Sequence, residues 1–554
     1  MRSLFRKNNL NDLRDMNWSR AFQNIRLRAE QENLSNLVFT DSLRILNNVK
    51  GKRNIQLTGR RGTGKTSLLL KLHKDYLAQY RRDVFLIAKS DFLPISINIS
   101  KLNTIPLYDT EDNSIEIIQN PLAQAANNFR RIIQMILWGY DDIGGLYEYV
   151  NKYPVGPITK QRTKRKLRKL EEYLKNGENR IRLIEREISQ SEKSNVDLGG
   201  SASISFNANQ NSPLSAGVTS GLVANKRFER DFAQKIFATA QLSLKDVSNL
   251  LVDVVKSLRC EQMLLLIDEW SAGQNPVESQ PFLLELMKPL FFSNPAISVK
   301  MAIVPEHYQE YNSIKLQGLE PHSGYFIPVN LDSLQPYGRN RDKTVRVLRE
   351  IASEHLRSQM KRKLSPHIIN KNNLIDNFFK DSKIFLQTVI ASEGNIRDFL
   401  LILGRVYDDF LNEKHQESFS GSNVRKGISE HFVEDKWKRI NDQRLRSIFI
   451  DLCSRITARE IRVVDTGQDQ NISKTLSKLK LFRLLHSSRE DCMVDGQLYR
   501  FFYVDFAGYQ HIRDENPGLF PNARLPKDPT PEQNPVNVET IDPVTFFSES
   551  INDN

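Results

Sequence analysis

Asn54-Ile55-Gln56-Leu57-Thr58-Gly59-Arg60-Arg61-Gly62-Thr63-Gly64-Lys65-Thr66-Ser67 is the stretch whose reading decides the fold. An apolar run of strand character leads into a glycine-rich loop. The loop leads into Ser67-Leu68-Leu69-Leu70-Lys71-Leu72-His73, which has the pattern of a helix. Residues 59–66 fill every fixed position of G-x-x-x-x-G-K-[ST]. Glycines let the backbone curl so that successive N–H groups converge on phosphate oxygens. Lys65 is then expected at the β and γ phosphates of ATP, and the Thr66 hydroxyl on Mg²⁺. The positive end of the following helix favours the same anion. Gly59, Arg60, Arg61, Gly62, Thr63, Gly64, Lys65, Thr66 and Ser67 form the expected nucleotide contact.

Outward from this loop, the chain alternates strands and helices. Strand character is read at Val84 to Ala88, at the alternating Leu93 to Ile99, and in buried runs at Met263 to Ile267, Val299 to Val304 and Tyr325 to Asn330. Such alternation implies an α/β fold with a parallel sheet between helical layers. The run Leu264-Leu265-Leu266-Ile267-Asp268-Glu269 ends an apolar strand in two carboxylates. Asp268 is expected to hold Mg²⁺ through a water and Glu269 to polarise an attacking water, which makes hydrolysis the expected reaction.

At 554 residues the chain is too long for one ordinary core, and roughly two to four domains are expected. The longest apolar runs fall far short of the roughly 20 residues that cross a bilayer, so no membrane partner is expected. Met1-Arg2-Ser3-Leu4-Phe5-Arg6-Lys7 leads into Asn-rich sequence, and Cys260, Cys453 and Cys492 are scattered without metal-site or disulfide spacing. A reducing, cytoplasmic location is expected. The net charge of +13 admits nucleic-acid contact through phosphate neutralisation.

The expected organisation is a helical N-terminal segment (1–37), a nucleotide-binding core (38–335) interrupted by an insertion at about 101–230, a helical lid (336–440), a small mixed domain (441–515) and a proline-rich tail (516–554). The insertion carries seven basic residues in ten between Lys160 and Lys169, then a heptad seam through Leu167, Leu174, Ile181 and Ile188. This seam fits packing against its own domain better than an oligomer zipper, although a homo-oligomer stays open. Residues 199–224 read as a flexible segment or a two-stranded ribbon. In the small domain, Ile472, Leu476 and Leu479 share one helical face and leave Ser473, Lys474, Ser477 and Lys478 outward.

The glycine loop, the Leu-Ile-Asp-Glu strand and Gly394-Asn395-Ile396-Arg397-Asp398-Phe399 together resemble the AAA+ ATPases related to origin-recognition initiators, and the STAND-type signalling ATPases. The resemblance spans roughly residues 38–100 and 228–437. It implies that Arg397 opens a lid helix and touches the γ-phosphate, although Ile396 stands where that family usually has proline. No polar sensor ends the strand Ala302-Ile303-Val304-Pro305-Glu306, and Arg339 and Arg341 are expected to start the lid rather than reach a neighbouring subunit. The small domain is similar to a winged helix, a module that binds DNA or docks proteins. The expected function is an ATP-driven switch acting on DNA, in replication, transposition or mobile-element control. The alternative is a sensor ATPase of an antiviral defence system that controls an effector protein.

Overall fold

Aliphatic runs form the strands of a five-stranded parallel sheet: β1 (Ile55–Thr58), β2 (Ser90–Asn98), β3 (Cys260–Asp268), β4 (Ile297–Ile303) and β5 (Ile327–Asn330), in the order β2-β3-β4-β1-β5. The computed structural model describes residues 18, 21–23, 45–104, 121–140, 143–153, 156–172, 246–272, 275–312, 317–320, 323–332, 341–360, 374–413, 416–455, 460–465, 470–487, 492–494 and 497–520. The segment 199–224, the heptad seam beyond residue 172, Arg339 and the tail beyond residue 520 lie outside the described residues. The chain divides into two compact units. One is Val49–Thr58 with Leu69–Val329, and the other is Met1–Asn48 with Gly59–Leu68 and Asn330–Asn554.

In the sheet unit, β3 is buried along most of its length and β4 along all of it. Strands buried on both faces need helices on both, which gives an α/β layered core. The helices include α1 (Lys65–Phe85), α2 (Pro121–Trp138) and α3 (Gln280–Met287), with further helical turns at 157–172 and 246–257. Ile95, Ile133, Leu137, Leu265, Trp270 and Phe291 share one core. Leu167, the first seam residue of the insertion, and nearby Leu170 are buried in it too.

Two expected strands differ. Val84 to Ala88 is not a strand, because α1 continues through Phe85. Val84 packs in the core, and the N–H groups of Leu86 and Ile87 bond back to the carbonyls of Arg82 and Val84. Only the first residue of the run is core, while the other four are exposed. Tyr325 to Asn330 is not a buried strand either. Only Ile327–Asn330 is extended, at the sheet edge beside β1, and it is largely exposed.

The other unit is mostly helical: α4 (Arg341–Met360), α5 (Ser382–Ala391), α6 (Ile396–Asn412), α7 (Gly421–Asp435), α8 (Gln443–Arg455), α9 (Gln470–Leu481) and α10 (Phe506–Glu515). A four-stranded sheet joins them, with β6 (Glu460–Asp465), β7 (Leu485–Ser487) and β8 (Cys492–Val494) each antiparallel to β9 (Gln497–Val504). One apolar core runs from α4 to α10, so the expected lid and the small mixed domain are packed together. Trp18 and Phe22 of the N-terminal segment belong to it, Phe22 stacking on Tyr407 at 4.2 Å between centroids.

Lys300 is a buried cation in the middle of β4, and its ammonium donates to the carbonyls of Gly51 (3.0 Å) and Arg53. Burial pulls its pKa down from 10.5 to about 8. Between those values the unfolded chain binds more protons than the folded one, so stability rises with pH. Thermal melts at pH 8 and pH 9.5 should show a gain in the parent that Lys300→Met lacks; equal pH dependence would refute this.

Candidate functional site

The glycine loop 59–66 is held by two segments that follow it by hundreds of residues. At the start of α6, the Asn395 amide donates to the Arg61 carbonyl (2.7 Å), and the Arg397 N–H donates to the Gly62 carbonyl (3.2 Å). Asn395 turns its other side-chain atom to the helix, its Oδ1 accepting from the Asp398 N–H at 3.2 Å as the N-cap. Gly62 has φ 89°, and a Cβ there would lie 2.4 Å from Asn395 Oδ1 and 2.6 Å from Arg397 Cβ. Only glycine fits this close approach. Gly64 also takes a left-handed φ of 90°, under the Ile396 side chain. The loop motif and the Gly394 to Phe399 motif are therefore brought together.

Inside the loop, Lys65 is buried, and its ammonium folds back onto the carbonyls of Gly59 (2.5 Å) and Arg60 (2.8 Å). Thr63 Oγ1 donates to the Arg60 carbonyl (3.0 Å). A Cβ on Gly59 would come within 2.9 Å of that hydroxyl, so the curl needs a bare backbone. No acidic residue stands in the first turn of α1, leaving its positive end without a carboxylate from its own helix. An ammonium within the curl and a helix start beside it suit a polyphosphate. Thr66 and Ser67 are half-buried on the first turn. Arg61 is exposed.

Arg60 is the residue that sequence reasoning undervalued. Its N–H and Nε donate to the two oxygens of Asp332 (2.7 and 3.0 Å), just past β5, and its guanidinium also donates to His486 Nδ1 on β7. His486 is then the Nε2–H tautomer, which donates to Asp505 Oδ1 (2.9 Å). Burial first, with Arg60 and Lys436 nearby, brings His486 down from 6.5 to about 4 despite Asp505, so the ring is neutral.

Beyond His486 lies a cluster of buried charges. Lys436 donates to Asp505 (2.6 Å) and stands 3.7 Å from Asp398, which also pairs with Arg483. Burial alone would raise both carboxyls, but Arg483 and Lys436 at Asp398, and Lys436 and His486 at Asp505, hold them well below the usual carboxylate range. Asp505 caps α10 as well, accepting from the Gly508 N–H at 2.9 Å. Asp332, Lys436, Arg483, His486 and Asp505 carried no motif. A lone histidine in Leu484-Leu485-His486 reads as core.

In the sheet unit, Asp268 ends β3 and is buried, and half-buried Glu269 follows with φ 54°. On β4, Met301 pairs with Ile267 and Ile303 with Thr58. The carboxyl ends of β3 and β1 are therefore nearly level, with one strand between them, about 10 Å apart at the usual strand spacing. Ligands of open α/β sheets gather at such ends. Beyond β4, where no polar sensor is found, Val304 exchanges hydrogen bonds with the Ser271 hydroxyl at 3.3 and 3.4 Å. Among the described residues, no three His, Cys, Asp or Glu side chains gather as a metal cluster.

The two basic surfaces belong to different units. On the 157–172 helix, Thr163, Leu167 and Leu170 are buried, while Arg162, Arg165, Arg168 and Lys169 are exposed. On α9, Leu476 and Leu479 are buried and Ser477 and Lys478 exposed; the Lys474 side chain lies outside the described residues. Lys478 stands 3.5 Å from Asp442.

No protein-family model matches the chain. No curated protein matches its sequence.

Two measurements check this site. Gly62→Ala should cost roughly 1–3 kcal/mol through backbone strain and the clash with Asn395, whereas Gly421→Ala, with open space around it, should stay within about 0.5 kcal/mol. His486 binds protons between pH 6.5 and about 4 only in the unfolded chain, so stability falls as the pH drops through that window. His486→Gln should lose less thermal stability between pH 7 and pH 5 than the parent, and an identical loss would contradict the buried neutral ring.

Proposed function

We propose that this chain is a P-loop ATPase of the AAA+ or STAND kind, with a helical lid and a winged-helix-like C-terminal module, working in the cytoplasm as a nucleotide-dependent switch. The observation that carries the reading is the pair of hydrogen bonds from Asn395 and Arg397 to Arg61 and Gly62. Two motifs matched independently in the sequence meet where the reading needs them. A structural glycine turn has no use for an ammonium inside its curl or for an arginine-bearing helix start against it.

In this reading Lys65 and the loop N–H groups would hold the β and γ phosphates, Thr66 and Asp268 would hold Mg²⁺, and Arg397 would serve the γ-phosphate. ATP supplies the phosphoanhydride bond, and Glu269 accepts a proton from the attacking water. Asp398, next to Arg397, pairs with Arg483 beyond α9, so a shift at the start of α6 is felt in the C-terminal module. That module would bind DNA through α9, with the 157–172 helix as the rival surface, in replication, transposition or mobile-element control. The pairing of Lys478 with Asp442 favours the second reading at α9, in which the module holds an effector protein of a defence system.

Lys65→Ala should abolish ATP binding or nearly so, and Glu269→Gln should bind ATP but stop turnover, as measured by equilibrium binding and phosphate release. Wild-type affinity in the first variant would sink the nucleotide reading. For the switch, DNA binding is compared with ADP and with a non-hydrolysable ATP analogue, in parent and Arg397→Ala protein across a salt series. A ligand moves such an equilibrium only by its differential affinity for the two states. The parent should distinguish the nucleotides and the variant should not, with each lost phosphate contact reducing the salt slope by about one. No DNA binding in either nucleotide state would favour the effector reading.

A further inference from the structure

The amino ends of the sheet strands, opposite Asp268, carry a surface that the nucleotide reading does not use. Phe85, Leu86 and Ile87 leave the end of α1 with 83%, 64% and 73% of their surfaces exposed. Apolar side chains exposed singly are ordinary, but three large ones in succession make a patch of the kind that marks an interaction site. Beside them opens a groove of about 650 Å³ whose lining includes Lys52, Lys89, Lys256, Arg259, Glu261 and Ile87. Four cations face one carboxylate there. Lys52 and Lys89 share Glu261 (2.7 and 3.2 Å), which leaves Lys256 and Arg259 in excess.

The backbone holds this shape at a cost. Ile87 and Arg259 are both left-handed, with φ 60° and 59°, and the Arg259 guanidinium donates to the Ile87 carbonyl at 3.3 Å. For a β-branched residue this conformation is an outlier. The exposed Ile87 side chain returns no core packing for it.

We propose that this end of the sheet docks an acidic segment of a partner protein carrying a large apolar side chain. Carboxylates of the segment meet Lys256 and Arg259, and its apolar residue packs on Phe85 and Ile87. Complementary charge gives orientation and encounter rate, and the apolar contact gives residence. A nucleic-acid backbone would use the cations and leave the three apolar side chains idle. A bilayer would take the apolar tip but would leave Glu261, within the groove lining, facing an apolar or anionic surface.

The test uses the full-length protein and a fluorescent twelve-residue peptide of glutamates alternating with leucine and phenylalanine. The controls are the same peptide with lysine for glutamate, a single-stranded DNA and phosphatidylserine vesicles. The acidic peptide should bind, the lysine peptide should not, and both Arg259→Glu and the double variant Phe85→Ser/Ile87→Ser should weaken binding at least about tenfold. Melting curves check that the variants are folded, and Lys256→Glu serves where Arg259→Glu is not. Absence of peptide binding, or binding unchanged in the folded variants, overturns the proposal. So does DNA or vesicle binding that these substitutions abolish. Because Lys65→Ala leaves this surface intact, peptide binding in that variant separates the proposal from the nucleotide reading.

Discussion

The cluster of Asp398, Lys436 and Asp505, with Arg483 and His486 at its ends, is the constraint on which the helical unit depends. Three of its members are almost wholly buried, and taking such charges out of water costs several kcal/mol each unless partners compensate. The partners come from α6, from the turn after α7, from the turn after α9, from β7 and from the residue before α10. Each element must therefore arrive in register for any of the charges to be tolerated. An apolar core accepts a range of packings, whereas this cluster accepts one. The cluster also explains why Asp505 caps α10 while holding Lys436: one carboxylate fixes both a helix start and a buried ammonium.

Much of the glycine-loop half of the candidate site was legible. Glycines at 59, 62 and 64, a lysine and a threonine at fixed spacing specify a curled backbone whatever surrounds it, and all three glycines have positive φ. The Gly394 to Phe399 segment was read from its resemblance to a lid motif, and local chemistry carries the same signal. Asn395 is a good helix cap, and its position just before an apolar periodic run marks a helix start. Contacts made by single side chains across long separations were not legible. Arg60 looked like any variable loop position, and neither Asp332 nor His486 belongs to a pattern.

The two misread strands have a common physical cause. Val84 to Ala88 and Tyr325 to Asn330 are apolar runs, and composition alone cannot say whether such a run is core, edge or exposed. Helix α1 carries its pattern through Val84 before Phe85, Leu86 and Ile87 turn outward. β5 takes the edge because the order β2-β3-β4-β1 already fills the centre. Length was the missing arbiter: α1 is a 21-residue helix, and an apolar run at its end extends it more readily than it starts a strand.

Within the helical unit, the attachments of the glycine loop differ in kind from those between the lid helices and the C-terminal module. The latter share one apolar core, in which Gly508 lies against Phe432 and Phe449 so closely that a Cβ there would come within 2.6 Å of Phe432. Separating those parts would expose buried aromatic surface, which ties α6, α7, α8 and α10 together. The loop, by contrast, is tied to them by polar contacts: Asn395 to the Arg61 carbonyl, Arg397 to the Gly62 carbonyl, and Arg60 to His486. A neutral hydrogen bond contributes about 0.5–1.5 kcal/mol net, and one to a charged group about 1.5–3. In the first two of these contacts the loop supplies carbonyl acceptors, so they leave its own N–H groups uncommitted. The loop is thus held to the helices more softly than the helices and the small sheet are held to one another.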